Sequence, residues 1–76
     1  MPKFFRSVSG EKMVKVLAKI GFLFVSQKGS HAKLKRITDN GTEMIIVPMH
    51  NELTPGTFRN ILKMAKLSLE EFDKLC

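Results

Sequence analysis

Three consecutive residues in the middle of the chain, Asp39-Asn40-Gly41, limit its fold more than any others. Asn and Gly tolerate the positive φ that tight turns need, so the triplet marks a hairpin. The segments on either side are extended in pattern. Residues 31–37 alternate, with Ala32 and Leu34 on one face and His31, Lys33 and Lys35 on the other. Residues 42–47 form a second strand, stopped by Pro48. A third strand precedes them at 22–26, rich in aromatic and β-branched types, with Gln27-Lys28-Gly29-Ser30 as the intervening turn. The expected core of the fold is a three-stranded antiparallel meander.

The flanks carry a different period. Met13, Val14, Leu17 and Ile20 recur at helical spacing, with Lys12, Lys15 and Lys19 on the other side. Ser9 is placed to cap this helix, Glu11 to offset its dipole, and Gly21 to end it, so residues 10–20 read as one amphipathic helix after an extended lead-in over 1–8. Thr54-Pro55 is a cap followed by proline at the first helical position. Phe58, Ile61, Leu62 and Ala65 then mark a core-facing stripe. Ser68-Leu69-Glu70-Glu71 has capping-box spacing and opens a short last helix carrying Phe72 and Leu75. The methionines at 13, 44 and 64 read as core packing. The predicted class is α+β, ordered α-β-β-β-α with a short extra C-terminal helix. Both main helices are expected on one face of the sheet, in a single domain over residues 1–76.

Charge narrows the partners. Residues 1–38 hold nine lysines and arginines against Glu11 alone, whereas residues 39–76 hold four against six carboxylates. Such polarisation favours a polyanion, of which nucleic acid is the commonest. The apolar runs 21–25 and 44–47 are too short to span a bilayer. Lys3 and Arg6 are followed by no hydrophobic signal region, and the only cysteine, Cys76, cannot staple a fold, so a reducing cytosol is the expected compartment.

The candidate chemistry lies at the start of the second strand. An imidazole exchanges a proton near neutral pH, and His31 stands in line with Lys33 and Lys35 and close to Lys28, where a polyanion would dock. RNA carries its own nucleophile, the 2′-hydroxyl, so a site that removes its proton and stabilises charge on phosphorus suffices for cleavage. Ser30 either bonds a phosphate or caps the turn. His50 lies near position 30 by hairpin arithmetic and is either a second acid–base group or a strand-end residue. Arg59 and Lys63, near the start of the second helix, and Lys12, Lys15 and Lys19 on the first, either touch RNA or form solvated faces. The spacing of His31, His50 and Cys76 fits no zinc pattern, and neither a metal nor a cofactor is expected.

Order and charge are those of a double-stranded-RNA-binding domain, but a sharper likeness exists. Gly21-Phe22, Gly29-Ser30-His31, Val47-Pro48-Met49-His50 and Pro55-Gly56-Thr57 with Ile61-Leu62 occur in order at family-like spacing, over roughly residues 7–73. In these motifs the chain resembles the HicA family of small toxin ribonucleases. Phe58 fills a place where that family usually has leucine or a similar residue, a change of core filling only. The resemblance implies a double-stranded-RNA-binding-like fold, cleavage of messenger RNA that inhibits translation, and neutralisation by a HicB-type antitoxin. It also implies that His31 is catalytic. The free toxin is expected to be monomeric. The competing expectation is a non-catalytic module that binds duplex RNA. Against it, the second helix opens on Thr54-Pro55-Gly56-Thr57 rather than on a lysine cluster.

Overall fold

A computed structural model describes residues 7–76. The extended lead-in expected from residue 1 falls outside the described residues as far as position 6. The elements are α1 (Gly10–Lys19), β1 (Leu23–Lys28), β2 (His31–Thr38), β3 (Gly41–Pro48), α2 (Pro55–Ala65) and α3 (Leu69–Leu75). The strands form one antiparallel sheet in the order β1-β2-β3. This is the α-β-β-β-α arrangement of double-stranded-RNA-binding domains, extended by a C-terminal helix.

Alternation decides what the sheet buries. Ala32, Leu34, Ile45 and Val47 point to one face and are fully covered there. Met13, Val16 and Leu17 of α1 and Ile61, Leu62 and Ala65 of α2 belong to the same buried cluster. Both main helices therefore lie on this inner face. Phe72 of α3 completes the core, its ring edge-on to Phe58 at 5.1 Å between centroids. Each large side chain buried in this way contributes roughly 1.5–3 kcal/mol.

The caps are those the sequence signals. The Ser9 hydroxyl accepts from the Lys12 amide, the Thr54 hydroxyl from the Thr57 amide, and Ser68 and Glu71 bond reciprocally as a capping box. At the end of α1 the Phe22 amide donates to the Leu17 carbonyl and the Gly21 amide to the Ala18 carbonyl, a Schellman closure. The same pair of bonds ends α2, from Leu67 to Leu62 and from Lys66 to Lys63. There Lys66 takes the left-handed position, at φ 60°.

Several boundaries and placements differ from the sequence reading. The β1–β2 turn is two residues, Gly29-Ser30, rather than four. Gly29 adopts φ +61°, which lets Lys28 pair directly with His31. Strand β1 accordingly runs from 23 to 28, while Phe22 is a buried core residue ahead of it. In the second hairpin Gly41 is the first residue of β3, and of the turn triplet only Gly41 has a positive φ. Thr38 fastens that turn, donating to the Gly41 carbonyl and accepting from the Asn40 amide. Pro48 is the last residue of β3, and α1 ends at Lys19 with Ile20 as its cap. Met13 is buried, but Met44 and Met64 are nearly half exposed and do not belong to the core. Met44 lies between Glu43 and Ile45 on the outward side of β3, because apolar residues occupy both faces of that strand.

One charged residue organises the far end of the sheet. Arg36 continues the inward series of Ala32 and Leu34, so its side chain enters the interior rather than solvent, and is only 19% exposed. Its guanidinium lies 4.4 Å above the Phe22 ring. It donates to the Ile20 carbonyl at 3.0 Å, to the Ala65 carbonyl at 3.5 Å and to the Glu43 carboxylate opposite it at 2.9 Å. The carbonyls come from the C-terminal ends of α1 and α2, where helix dipoles are negative. Arg36 thus secures the end of α1, faces the end of α2, and is not part of the surface charge counted from the sequence. Lys66 reaches the other Glu43 oxygen at 3.3 Å, and the pair of cations holds the Glu43 carboxyl below its ordinary value of 4.5.

Candidate active site

Both helices end at Arg36, so both begin at the opposite end of the sheet. The Gly10 amide at the start of α1 donates to the His50 carbonyl at 2.9 Å. A side chain at Gly10 would collide with the Pro48 carbonyl and approach the Met49 Cα to 2.8 Å, so only glycine permits this packing. The Leu53 amide, just before α2, donates to the Val8 carbonyl, just before α1. The two helix N-termini are therefore side by side at the end of the sheet where β2 begins. Their positive dipole ends face the same way.

His31 is the first residue of β2 at this end. It pairs with Lys28 on one side and with Pro48 on the other. Its side chain points away from the buried face, because Ala32 points into it. It is exposed, as is Lys28, and its imidazole has no hydrogen-bond partner among the described residues. Directly opposed residues in a ladder have Cβ atoms about 5 Å apart, so the Lys28 and His31 side chains leave the sheet as neighbours. Lys33 and Lys35 follow on the same face, both half-buried. Among the described residues the strands' outward face holds lysines at 28, 33 and 35 and no carboxylate.

Ser30 is exposed in the two-residue turn, and its carbonyl accepts from the Met49 amide. This bond extends the β2–β3 ladder by one step and carries His50 beside the turn that precedes His31. The observed register pairs residues summing to 79, one less than the expected value of about 80. The His50 backbone is fixed by the Gly10 amide, while its side chain is exposed. The structure thus brings together Lys28, Ser30 and His31, with Lys33 next along the same face, Lys35 about 13 Å from His31, and the backbone of His50 at the margin.

Other sequence candidates stand apart. Arg59 is exposed on α2, which covers the inner face, so the sheet separates it from Lys33 and Lys35. Lys63 is exposed on the same helix. Lys12 and Lys15 are exposed along α1, but the Lys19 ammonium donates to the Leu75 carbonyl at 2.6 Å, tying α1 to the end of α3. Among the described residues no group of three or more His, Cys, Asp or Glu side chains is placed to hold a metal ion. None of their helices is long and apolar enough to cross a membrane.

Sequence reasoning missed the shared direction of the two helices. Its signal was present in the inward phase of Arg36, since a cation on a core face must find acceptors, and helix C-termini supply them. A family model described as the HicA toxin of bacterial toxin–antitoxin systems matches residues 10–67. The matched span contains every element of the sheet, both main helices and both histidines. No protein of curated function matches the chain.

Proposed function

Since this chain belongs to the HicA toxin family of bacterial toxin–antitoxin systems, we propose that it is an endoribonuclease that cleaves messenger RNA and so inhibits translation. The observation that carries the reading is the position of His31. It is an exposed imidazole paired with Lys28, in line with Lys33 and Lys35, at the end of the sheet toward which both helix N-termini point. A polyanion is drawn to that end by side chains and backbone alike.

In the proposed reaction His31 removes the proton of a ribose 2′-hydroxyl. The 2′-oxygen attacks the adjacent phosphorus, forming one P–O bond while the bond to the 5′-oxygen breaks. The products are a 2′,3′-cyclic phosphate and a 5′-hydroxyl end. Lys28, Lys33 and Lys35 stabilise the charge that builds on the phosphate oxygens, and Ser30 offers a hydroxyl at the same place. The leaving oxygen takes its proton from His50 or from water. No metal is called on, because RNA supplies the nucleophile and the lysines supply the positive charge. A HicB-type antitoxin silences the protein by covering the outward sheet face, and the free toxin acts as a monomer in the cytoplasm.

The test is incubation of the purified protein with a defined RNA in the presence of a chelator, followed by analysis of the new ends. Cyclic phosphate and 5′-hydroxyl termini are expected, with a His31→Ala variant slower by about 100-fold or more. Cleavage by His31→Ala at the wild-type rate refutes the role of His31. Salt-sensitive RNA binding with no cleavage by the wild type refutes the nuclease itself and leaves a binding module.

A further inference from the structure

The outward sheet face has two halves. At the His31 end it presents Lys28, His31, Lys33 and Pro48. Toward the Arg36 end it presents Leu23, Lys35, Met44 and Ile37. Ile37 is 71% exposed, Leu23 66% and Met44 47%, with Ile46 between the halves at 46%. At about 3.3 Å per residue, Ile37 is roughly 20 Å along the strand from His31. The apolar patch is therefore centred away from His31, and its near edge, Leu23 and Met44, flanks Lys35.

Its composition selects the occupant. Bases are held by stacking on aromatic rings, and these four side chains are aliphatic; Phe24, by its pairing with Leu34, is directed to the other face. Aliphatic groups set among cations match a protein surface with an apolar centre and acidic surroundings. A second copy of this chain, with net charge +6, would oppose lysine to lysine. An antitoxin is the protein partner that membership of this family implies. Three strands about 4.8 Å apart, two of them eight residues long and β1 six, give a footprint of at most about 14 Å by 26 Å. That is well under the roughly 800 Å² that a standard interface takes from each partner. The contact must extend around an edge, and at β1 it meets Val25, at the slip in register and 46% exposed, and beyond it Phe24 on the inner side, 54% exposed. The register of β1 slips between Phe24 and Ser26, which interrupts the edge's row of free backbone groups.

We propose that the antitoxin anchors on this apolar half, gripping Leu23, Ile37 and Met44 and wrapping the β1 edge through side chains rather than by adding a fourth strand. The proposal rests on the toxin reading above. It makes neutralisation separable from cleavage, because the anchor and His31 occupy different ends of one face.

The test uses the full chain carrying Ile37→Gln with Met44→Gln, and Met64→Gln as a control at an equally exposed apolar residue on α2. The antitoxin polypeptide of the same toxin–antitoxin pair is titrated against each, and cleavage of a defined RNA is measured alongside. The double variant should bind the antitoxin about 100-fold more weakly, while cleaving RNA within about twofold of the wild type and resisting neutralisation. The Met64→Gln chain should bind normally. Unchanged affinity of the double variant overturns the proposal, as does a parallel loss of RNA cleavage or an equal defect in the control. Absence of any complex with the wild type overturns it together with the antitoxin partnership. A wild type that forms the complex but cuts no RNA refutes the nuclease reading, and the affinities still decide the anchor.

Discussion

Replacing Arg36 by methionine keeps an aliphatic stem over Phe22 and removes everything the guanidinium does. The Ile20 carbonyl, bonded at 3.0 Å, loses its partner in a poorly hydrated place. A hydrogen bond from a charged donor is worth about 1.5–3 kcal/mol. The Ala65 contact, at 3.5 Å, adds little. The cation over the Phe22 ring adds about 0.5–1 kcal/mol. The Glu43 pair is partly solvated, and Lys66 stays beside Glu43 in the variant, so that pair contributes little to the difference. The expected loss is about 3 kcal/mol. For a domain of this size each kcal/mol lowers Tm by about 4–8 °C, so thermal melts should fall by roughly 12–24 °C. Arg36→Lys should recover only part of this, because an ammonium lacks the planar fork that serves several acceptors at once. Lys15→Met, at an exposed position on α1, should change stability by no more than about 0.5 kcal/mol. An Arg36→Met chain that loses less than about 1 kcal/mol by urea or thermal unfolding would refute the idea that Arg36 secures the end of α1.

Glu43 is held below its ordinary 4.5 first by the hydrogen bond from Arg36 and then by Lys66. A lowered carboxyl contributes stability that is present above 4.5 and is lost as pH falls through the lowered folded value. Melts across that range should show this acid loss in the wild type and a flatter profile in Glu43→Gln; identical profiles would contradict it. Gly10→Ala forces a methyl against the Pro48 backbone and should cost about 1–3 kcal/mol, with earlier hydrogen exchange at the Gly10 amide bonded to His50; a neutral effect on unfolding would show that α1 can slide away freely. His50→Ala leaves the backbone bonds of that residue in place, so stability should stay within about 0.5 kcal/mol. A fall in RNA cleavage of about 100-fold would then assign the imbalance to a missing acid, and an unchanged rate would assign the proton to water.

Much of the architecture is legible from local signals. Each helix start carries its own cap, and the alternation of Ala32 and Leu34 sets the buried face without further information. His31 is legible as an outward residue for the same reason. What local signals leave out is register and direction. The turn at Gly29-Ser30 is shorter than its polar composition suggests, because a single glycine with positive φ allows the tightest hairpin. Strand β3 has apolar residues on both faces, so period alone cannot tell buried Ile45 from exposed Met44. Arg36 counts as surface charge until its phase is followed one step past Leu34 and its cross-strand partner is found to be Glu43. Arg59 looks equivalent to the strand lysines in a list of cations, and only the stacking of α2 on the inner face separates it.

Two helices that begin at one end of the sheet and finish near Arg36 give the molecule an electric dipole moment as well as a net charge. That moment is built from peptide groups, so it has no residue to delete. Lysines at 28, 33 and 35 can be neutralised one at a time, and the backbone will still orient the protein as it tumbles in the field of a polyanion. Such turning takes place before contact, within about a Debye length of roughly 10 Å at moderate salt. The productive end is thus favoured in the encounter itself. Arg36, at the opposite pole, bears on the approach only through its hold on the end of α1.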